Sequence, residues 1–343
     1  MTNFSDLKDC YIIAEAGINH NADLDLALKL CETAKSAGAD AVKFQLFDVN
    51  EQVSKIAINA PYQQKGSGEQ SMIEMAKHYD LAWDAHVNIM NHCKKINIDY
   101  LSSCCDIKAI DFLVDKLESK SIKISSGEIT NLRLLKHASS KNIPIILSTG
   151  MANLEEIDLA VKTINSDFVS DLILMHCTSL YPASESEINL NAITTLKNRY
   201  MLQIGYSDHT LGTKAAIASL ALGAKVIEKH FTISKKLPGP DHSMALEPNE
   251  LKSFVKIIRQ TEQMLGSGEK KPSKDEIKMK KIFRRGVFAI KKINAGEIID
   301  TTNISIKRPV IGIDAIDYEN VLGMKSIMDI EPETPIEWNM LIK

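Results

Sequence analysis

No run of apolar residues in this chain approaches the roughly 18 needed to cross a bilayer as a helix. The stretch from Met1 to Cys10 contains no apolar signal-peptide core. No membrane partner is expected, and a cytoplasmic location is. A surplus of one charge is also missing, since 41 Lys and Arg against 44 Asp and Glu leave a formal net charge of −3. Without a basic surplus there is no electrostatic case for nucleic acid or an anionic lipid surface. The six cysteines, Cys10, Cys31, Cys93, Cys104, Cys105 and Cys177, lack zinc-ribbon spacing, so reduced thiols are expected. No GxGxxG follows the first apolar run, which argues against a doubly wound dinucleotide-binding sheet. What is present is an ordinary globular composition, 44% hydrophobic and 25% charged. At 343 residues the chain should hold one large domain and a small one.

Short apolar runs that end abruptly in polar residues recur at Tyr11–Ala16, Ala41–Phe47, Ile98–Ser102, Ser121–Ser125, Ile143–Ser148, Leu172–Cys177, Met201–Gly205 and Lys225–Glu228. Each reads as a buried parallel strand. Amphipathic segments such as Leu24–Ala37, Leu154–Ile164 and Leu211–Leu222 lie between them. Eight strands with intervening helices in about 230 residues predict an α/β fold, a (β/α)8 TIM barrel over residues 1–265. The connection from Asp48 to Asn97 is overlong, and Pro61-Tyr62-Gln63-Gln64-Lys65-Gly66-Ser67-Gly68 within it reads as a loop over the barrel mouth. Residues 266–283 read as a polar, lysine-rich linker with a short charged helix to Lys281. From Arg284 the pattern turns to short β runs at Val287–Ile290, Ile304–Ile306 and Ile336–Leu341. Residues 284–343 are thus a small β-rich domain, of a size that folds alone only marginally.

Catalytic groups on such a barrel belong at the C-terminal ends of strands. The last two strands close on Ser207-Asp208-His209-Thr210 and on Glu228-Lys229-His230-Phe231-Thr232. One histidine at a strand end is usually structural. Two on consecutive strand ends can share a divalent cation that acts as a Lewis acid on a carbonyl. The other strand ends carry Glu15, then Asn19-His20-Asn21; Lys43 and Gln45; Ser102-Ser103; Lys123, then Ser125-Ser126-Gly127-Glu128; Ser148-Thr149-Gly150; and His176-Cys177-Thr178-Ser179 with Tyr181 beyond. Two buried lysines among hydroxyls point to an anionic, phosphorylated substrate. Ser125-Ser126-Gly127, entering a helix, could offer it backbone N–H groups. Plainer readings stand beside these. Lys43 or Lys123 could be a packed stem paired with Glu15 or Glu128, and Cys104-Cys105 could be small apolar filling. A Schiff-base aldolase lysine and a non-catalytic carbohydrate-binding protein are the rival functions.

Six ordered stretches carry a family resemblance: Ile13-Ala14-Glu15-Ala16-Gly17-Ile18-Asn19-His20-Asn21, Ser126-Gly127-Glu128, Leu147-Ser148-Thr149-Gly150-Met151, His176-Cys177-Thr178, Tyr206-Ser207-Asp208-His209-Thr210 and Pro238-Gly239-Pro240-Asp241-His242. Together they resemble the sialic acid synthases, which condense phosphoenolpyruvate with an N-acetylated mannose-type sugar. The tail, with Lys307-Arg308-Pro309, resembles that family's antifreeze-like (SAF) domain. The resemblance implies that His209 and His230 bind Mn²⁺ or Mg²⁺. It places Lys123, Ser126 and Ser207 on the phosphate, and Lys43 and Ser103 near the carboxylate. Glu15, Gln45, Glu228, Tyr181 and Asp241 would line the sugar and water positions, with Glu128 in the same polar cluster as a further catalytic carboxylate. It also implies a domain-swapped homodimer in which Arg308 reaches the partner's barrel. Ser179 stands where the family usually carries Asn, and Ser103-Cys104-Cys105 replaces a typical Thr-Pro-Phe. Asn59-Ala60-Pro61-Tyr62-Gln63 and the run from Ser126 to Leu132 resemble the legionaminate branch, whose acceptor is a 2,4-diacetamido-2,4,6-trideoxymannose; N-acetylmannosamine is the second acceptor to consider. Either Glu15 or Glu228 would serve as base for the water.

Overall fold

The computed structural model describes residues 4, 7–69, 71–165 and 171–343. It divides into two compact units, Met1–Gly266 and Ser267–Lys343. In the first, eight parallel strands close into a barrel in sequence order. They are β1 (Tyr11–Gly17), β2 (Ala41–Leu46), β3 (Asp99–Cys104), β4 (Ile122–Ile124), β5 (Ile145–Ser148), β6 (Leu172–Cys177), β7 (Gln203–Asp208) and β8 (Val226–His230). β8 pairs back onto β1 from Tyr11 opposite Val226 to Glu15 opposite His230, which brings the first and last strand ends together. The helices are α1 (Leu24–Ala37), α2 (Val49–Gln52), α3 (Pro61–Ser67), α4 (Met72–Tyr79), α5 (Trp83–Ile96), α6 (Ile107–Asp111), α7 (Leu132–Ser140), α8 (Leu154–Asn165), α9 (Ala192–Tyr200), α10 (Lys214–Ala221) and α11 (Pro248–Leu265).

Local chemistry sets the element ends. The Asp23 carboxylate accepts from the Asp25 and Leu26 N–H groups and starts α1, and Gly38 at φ 87° closes it in the left-handed conformation. Side chains alternate across each strand. Ile12, Ala14, Val42, Phe44 and Leu147 belong to the cluster packed under the helices. Ile13, Leu101, Ile146, Ile173, Met175 and Val226 form a second buried cluster, the apolar floor of the barrel. Nearer the C-terminal rim the inward positions become Glu15, Lys43, Ser103, Lys123, Ser148, Ser207 and Glu228, all buried. The floor is therefore the part that stabilises, and the rim is the part that does chemistry. Truncating Ile146, which is wholly buried, to Ala is expected to cost about 2–5 kcal/mol. Urea unfolding measures it, and a loss below about 1 kcal/mol would mean that the floor repacks freely.

Four expectations are corrected. β7 runs on to Asp208 and β8 to His230, so the histidine motifs continue the ladder rather than following it. The Asp48–Asn97 connection is helical, and Pro61–Ser67 is the helix α3, not a loop. Ser126–Glu128 forms a three-residue 3-10 turn, and α7 starts later, where Asn131 Oδ1 caps the Leu134 N–H. In the second unit, Ile336–Leu341 is not a strand, because residues Trp338–Met340 turn as a 3-10 helix.

That second unit opens with α12 (Lys274–Phe283) and pairs β9 (Gly286–Ala289) with β10 (Ile304–Lys307) antiparallel. A short helix α13 (Tyr318–Val321) precedes β11 (Lys325–Ser326), which pairs with β12 (Leu341–Ile342). Val287, Ala289, Ile293, Ile299, Ile304 and Ile313 are among its buried core. All six cysteines are free thiols. Among the described residues no helix is long and apolar enough to cross a membrane.

Candidate active site

A cavity of about 510 Å³ opens at the C-terminal rim of the barrel. Every assigned site residue except Glu128 and Arg308 lines it. At its centre Lys43 Nζ lies 2.8 Å from Glu15 Oε2 and 3.5 Å from Glu228 Oε1. Lys123 Nζ lies 3.7 Å from Glu228 Oε2 and donates to Ser148 Oγ at 2.5 Å. Ser207 Oγ donates to Glu228 Oε1 at 3.2 Å. Four alternating charges, each 2–4% exposed, are thus held out of water. Such an arrangement is weak evidence for stability, because the desolvation cost rivals the Coulomb gain. It is strong evidence of a site built to meet charge.

The two carboxylates are driven apart. Burial pushes the Glu15 carboxyl up, with Lys43 pulling against it. Burial pushes at Glu228 as well, but Lys123 and Lys43 outweigh it and hold that carboxyl low. Burial raises Asp241 to about 6, against the pull of Lys43. Burial depresses both His209 and His230, which favours the neutral imidazoles that can ligate a metal.

The two imidazoles stand with ring centroids 5.6 Å apart. His209 Nδ1 donates to the Thr178 carbonyl at 2.7 Å, so its Nε2 keeps the lone pair. His230 Nδ1 is buried without a hydrogen-bond partner among the described residues and lies 3.8 Å from Asp241 Oδ2. Tyr181 lies tilted against His209 at 4.1 Å, and Tyr62 stacks on Tyr181 at 4.9 Å. Among the described residues no group of three or more His, Cys, Asp or Glu is spaced to hold an ion alone. His209 and His230 could hold a cation only if its remaining ligands came from substrate and water.

The Asn19-His20-Asn21 and Pro238–His242 motifs brace each other. Asn21 Nδ2 donates to the Pro238 carbonyl at 3.0 Å, and Asn21 Oδ1 accepts from His242 Nε2 at 3.0 Å. This fixes the turn that carries Asp241. Ser126 Oγ accepts the Gly150 N–H at 3.0 Å, and Gly150 has no room for a side chain because a Cβ there would lie 2.8 Å from Ser126 Oγ and Cys177 Sγ.

Two assigned residues lie elsewhere. Glu128 is not among the cavity walls; its carboxylate accepts from Asn131 Nδ2 at 2.8 Å, within its own turn. Lys123 accordingly pairs with Glu228, not with Glu128. Arg308 belongs to the second unit, where its Nε donates to the Phe283 carbonyl at 2.9 Å. The cysteine pair divides, with Cys104 packed in the core and Cys105 lining the cavity. Sequence reasoning missed one whole wall. Met72, Met75, Ala76 and Tyr79, along one face of α4, line the cavity together with Phe47 and Val53. Their spacing at i, i+3, i+4 and i+7 was a readable signal of an apolar helix face.

Comparison with known proteins then gives the relatives of this chain. Residues 30–270 match the NeuB family, and residues 284–342 match the SAF domain. The chain is 47% identical over 320 residues to the N,N'-diacetyllegionaminic acid synthase of Campylobacter jejuni, covering 92% of this chain and 96% of that one. It is 42% identical over 334 residues to the N,N'-diacetyllegionaminic acid synthase of Legionella pneumophila, covering 96% and 94%. Among solved structures it is similar to the N-acetylneuraminic acid (sialic acid) synthetase of Leptospira borgpetersenii in complex with citrate, at 33% identity and TM-score 0.72, covering 79% of this chain and 90% of that one.

Proposed function

The chain belongs to the NeuB family, and from that membership we propose that it joins phosphoenolpyruvate to an open-chain 2,4-diacetamido-2,4,6-trideoxymannose, forming N,N'-diacetyllegionaminic acid and phosphate. The observation that carries the reading is the buried Glu15–Lys43–Glu228–Lys123 array beside two neutral imidazoles at one barrel rim. A phosphate dianion and a carboxylate on one small substrate call for two cations that water does not screen. Lys123, Ser126 and Ser207 are assigned to the phosphate, and Lys43 and Ser103 to the carboxylate. In the reaction the enol carbon C3 bonds to the aldehyde carbon, whose oxygen takes a proton and becomes a hydroxyl. The positive charge left at C2 faces Glu228, which the lysines keep ionised. Water adds at C2 and gives its proton to Glu15, whose raised affinity suits a base. The C2–O bond to phosphate then breaks, the electron pair leaving with phosphate, and the C2 hydroxyl passes its proton to the departing phosphate as C2 becomes a ketone. His209 and His230 would hold Mn²⁺ or Mg²⁺, which supplies Lewis-acid polarisation of the aldehyde.

Met72, Met75 and Ala76 on α4 favour the 6-deoxy, diacetamido acceptor over N-acetylmannosamine, since they offer methyl groups an apolar wall. The test follows phosphate release with phosphoenolpyruvate and each acceptor, with and without EDTA. A large kcat/KM preference for the diacetamido sugar, abolished by EDTA and restored by Mn²⁺, is expected. Equal or better use of N-acetylmannosamine overturns the acceptor assignment, and full activity in EDTA overturns the metal. A borohydride-trapped adduct would favour the Schiff-base aldolase instead.

Gly66 offers a narrower test. A Cβ there would stand 2.5 Å from Pro240 Cα, so α3 touches the turn bearing Asp241 only because residue 66 lacks a side chain. Gly66→Ala should lift α3, with Tyr62 on it, and raise the acceptor KM about 10-fold while sparing that of phosphoenolpyruvate. Steady-state kinetics with each substrate varied in turn would settle it, and an unchanged acceptor KM would count against a role for α3 on the sugar side. We assign the second unit to a domain-swapped homodimer in which Arg308 of one copy serves the barrel of the other.

A further inference from the structure

The two histidine motifs each contain a charged residue that the proposed chemistry does not use: Asp208 beside His209, and Lys229 beside His230. They are partners. Lys229 Nζ donates to Asp208 Oδ2 at 2.9 Å and to the Thr210 carbonyl at 2.5 Å. Asp208 Oδ1 in turn accepts from the Thr210 N–H at 2.9 Å and from Thr210 Oγ1 at 2.8 Å. The two residues stand opposite each other in the β7–β8 ladder. Their side chains are 0% and 1% exposed.

Their place in the alternation gives the pair its meaning. Ser207, His209, Glu228 and His230 line the cavity, so Asp208 and Lys229 point the other way, between strands and helices. Near the ends of five of the other strands the outward positions are Ala16, Leu46, Cys104, Ile124 and Leu147, packed apolar, while β6 places His176 there, bonded to the Ile188 carbonyl. A hydrophobic pair would fill this layer at no loss of stability, because a buried ion pair seldom outperforms apolar packing. What apolar packing lacks is direction. An ion pair with three further fixed contacts to Thr210 sets the register and separation of two strand ends to within a hydrogen bond.

We propose that Asp208 and Lys229 are positioning residues that clamp the ends of β7 and β8 from behind, holding His209 and His230 at the separation that lets both reach one divalent cation. Neither touches substrate or cation. The inference rests on the metal reading above, and its test separates the two.

The variant Asp208→Asn/Lys229→Met removes both charges, keeps the Asn oxygen for Thr210 and leaves comparable volume. Mn²⁺ is titrated calorimetrically into EDTA-stripped, dialysed wild type and variant, alongside thermal melts and steady-state kinetics. A clamp predicts a Tm close to wild type, Mn²⁺ affinity weaker by about 10- to 100-fold and a lowered kcat at saturating Mn²⁺, with the phosphoenolpyruvate KM little changed. A purely structural pair predicts the reverse, a lowered Tm with unaltered Mn²⁺ affinity, and that result overturns the proposal. If the double variant does not fold, Lys229→Met alone carries the same comparison. Failure of both to fold overturns the proposal too, since the pair would then be holding the barrel rather than the imidazoles. Wild type that binds no Mn²⁺ overturns the metal reading and this inference with it, whereas a wild type that binds Mn²⁺ beside a variant of equal affinity overturns this inference alone.

Discussion

Lys123→Met is expected to lower kcat/KM for phosphoenolpyruvate by about 10²–10³-fold, the scale of losing one preorganised charge partner in a dry site. Lys123 is 3% exposed, and its ammonium has Ser148 Oγ and Glu228 as its protein partners in the cavity. Methionine fills much the same volume, so packing should survive. The change nevertheless strips Glu228 of one of its two cations, which leaves Lys43 at 3.5 Å as the sole lysine holding that carboxylate ionised. Part of the loss would therefore come from Glu228 taking a proton rather than from the missing phosphate contact. The double variant Lys123→Met/Glu228→Gln resolves the two. If its activity falls no further than that of the single variant, the lysine acts through the carboxylate; if the losses multiply, it acts on the substrate directly. Lys123→Arg should not rescue either, because a planar fork cannot occupy the compact ammonium position beside Ser148. Retention of activity within threefold in Lys123→Met would remove this lysine from the chemistry.

Much of this site could be read in advance because barrel geometry translates strand ends into a rim. Once eight apolar runs were counted, residues as distant as Glu15 and Glu228 had to converge, and the β1–β8 pairing brings them within reach of one lysine. The family resemblance added the roles, which spacing alone does not carry. The failures have separate physical causes. Lys123 lies within β4 and Ser125, Ser126 and Gly127 after it still line the cavity, but the Glu128 carboxylate accepts from Asn131 Nδ2 within its own turn. Proximity along the chain was mistaken for proximity at the rim.

The connection between β2 and β3 was misread for the opposite reason. Pro61 and Gly66 look like breakers, but Pro suits the first turn of a helix, where its missing N–H costs nothing. Gln63 Oε1 accepts the Ala60 N–H at 3.0 Å, and Gly68 at φ 77° ends the helix. Gly66 interrupts helix propensity because Pro240 occupies the space of its side chain, a tertiary demand invisible along the chain. The Met72, Met75, Ala76 and Tyr79 face was legible as a helix stripe, but an apolar stripe facing a core and one facing a substrate look identical in sequence. The ends of β7 and β8 were cut short because the apolar runs stop before Asp208 and Lys229, which pair with each other inside the protein.

Arg308→Ala is expected to lower acceptor kcat/KM about 10- to 100-fold, the value of one charge-assisted hydrogen bond to a sugar carbonyl. His230→Ala should be weaker still as a catalyst, since the proposed cation would lose one of its two protein ligands. The informative experiment mixes the two. In a homodimer where Arg308 serves the partner's barrel, random exchange makes half of the molecules heterodimers, and each of these has one site with both residues native and one with neither. Roughly a quarter of all sites would then be intact, so the mixture should regain about a quarter of wild-type turnover from two samples that are each nearly inactive. If Arg308 instead serves its own barrel, every site carries exactly one lesion in any mixture and nothing is regained. Differently tagged chains co-purified after incubation establish that exchange took place. The acceptor KM of the recovered activity matters as much as its amount. It should equal that of wild type, because the regained turnover comes from unaltered sites. A recovered activity with the raised KM of Arg308→Ala would trace to contamination by that variant, and an inactive mixture with proven exchange would take Arg308 out of the partner's site.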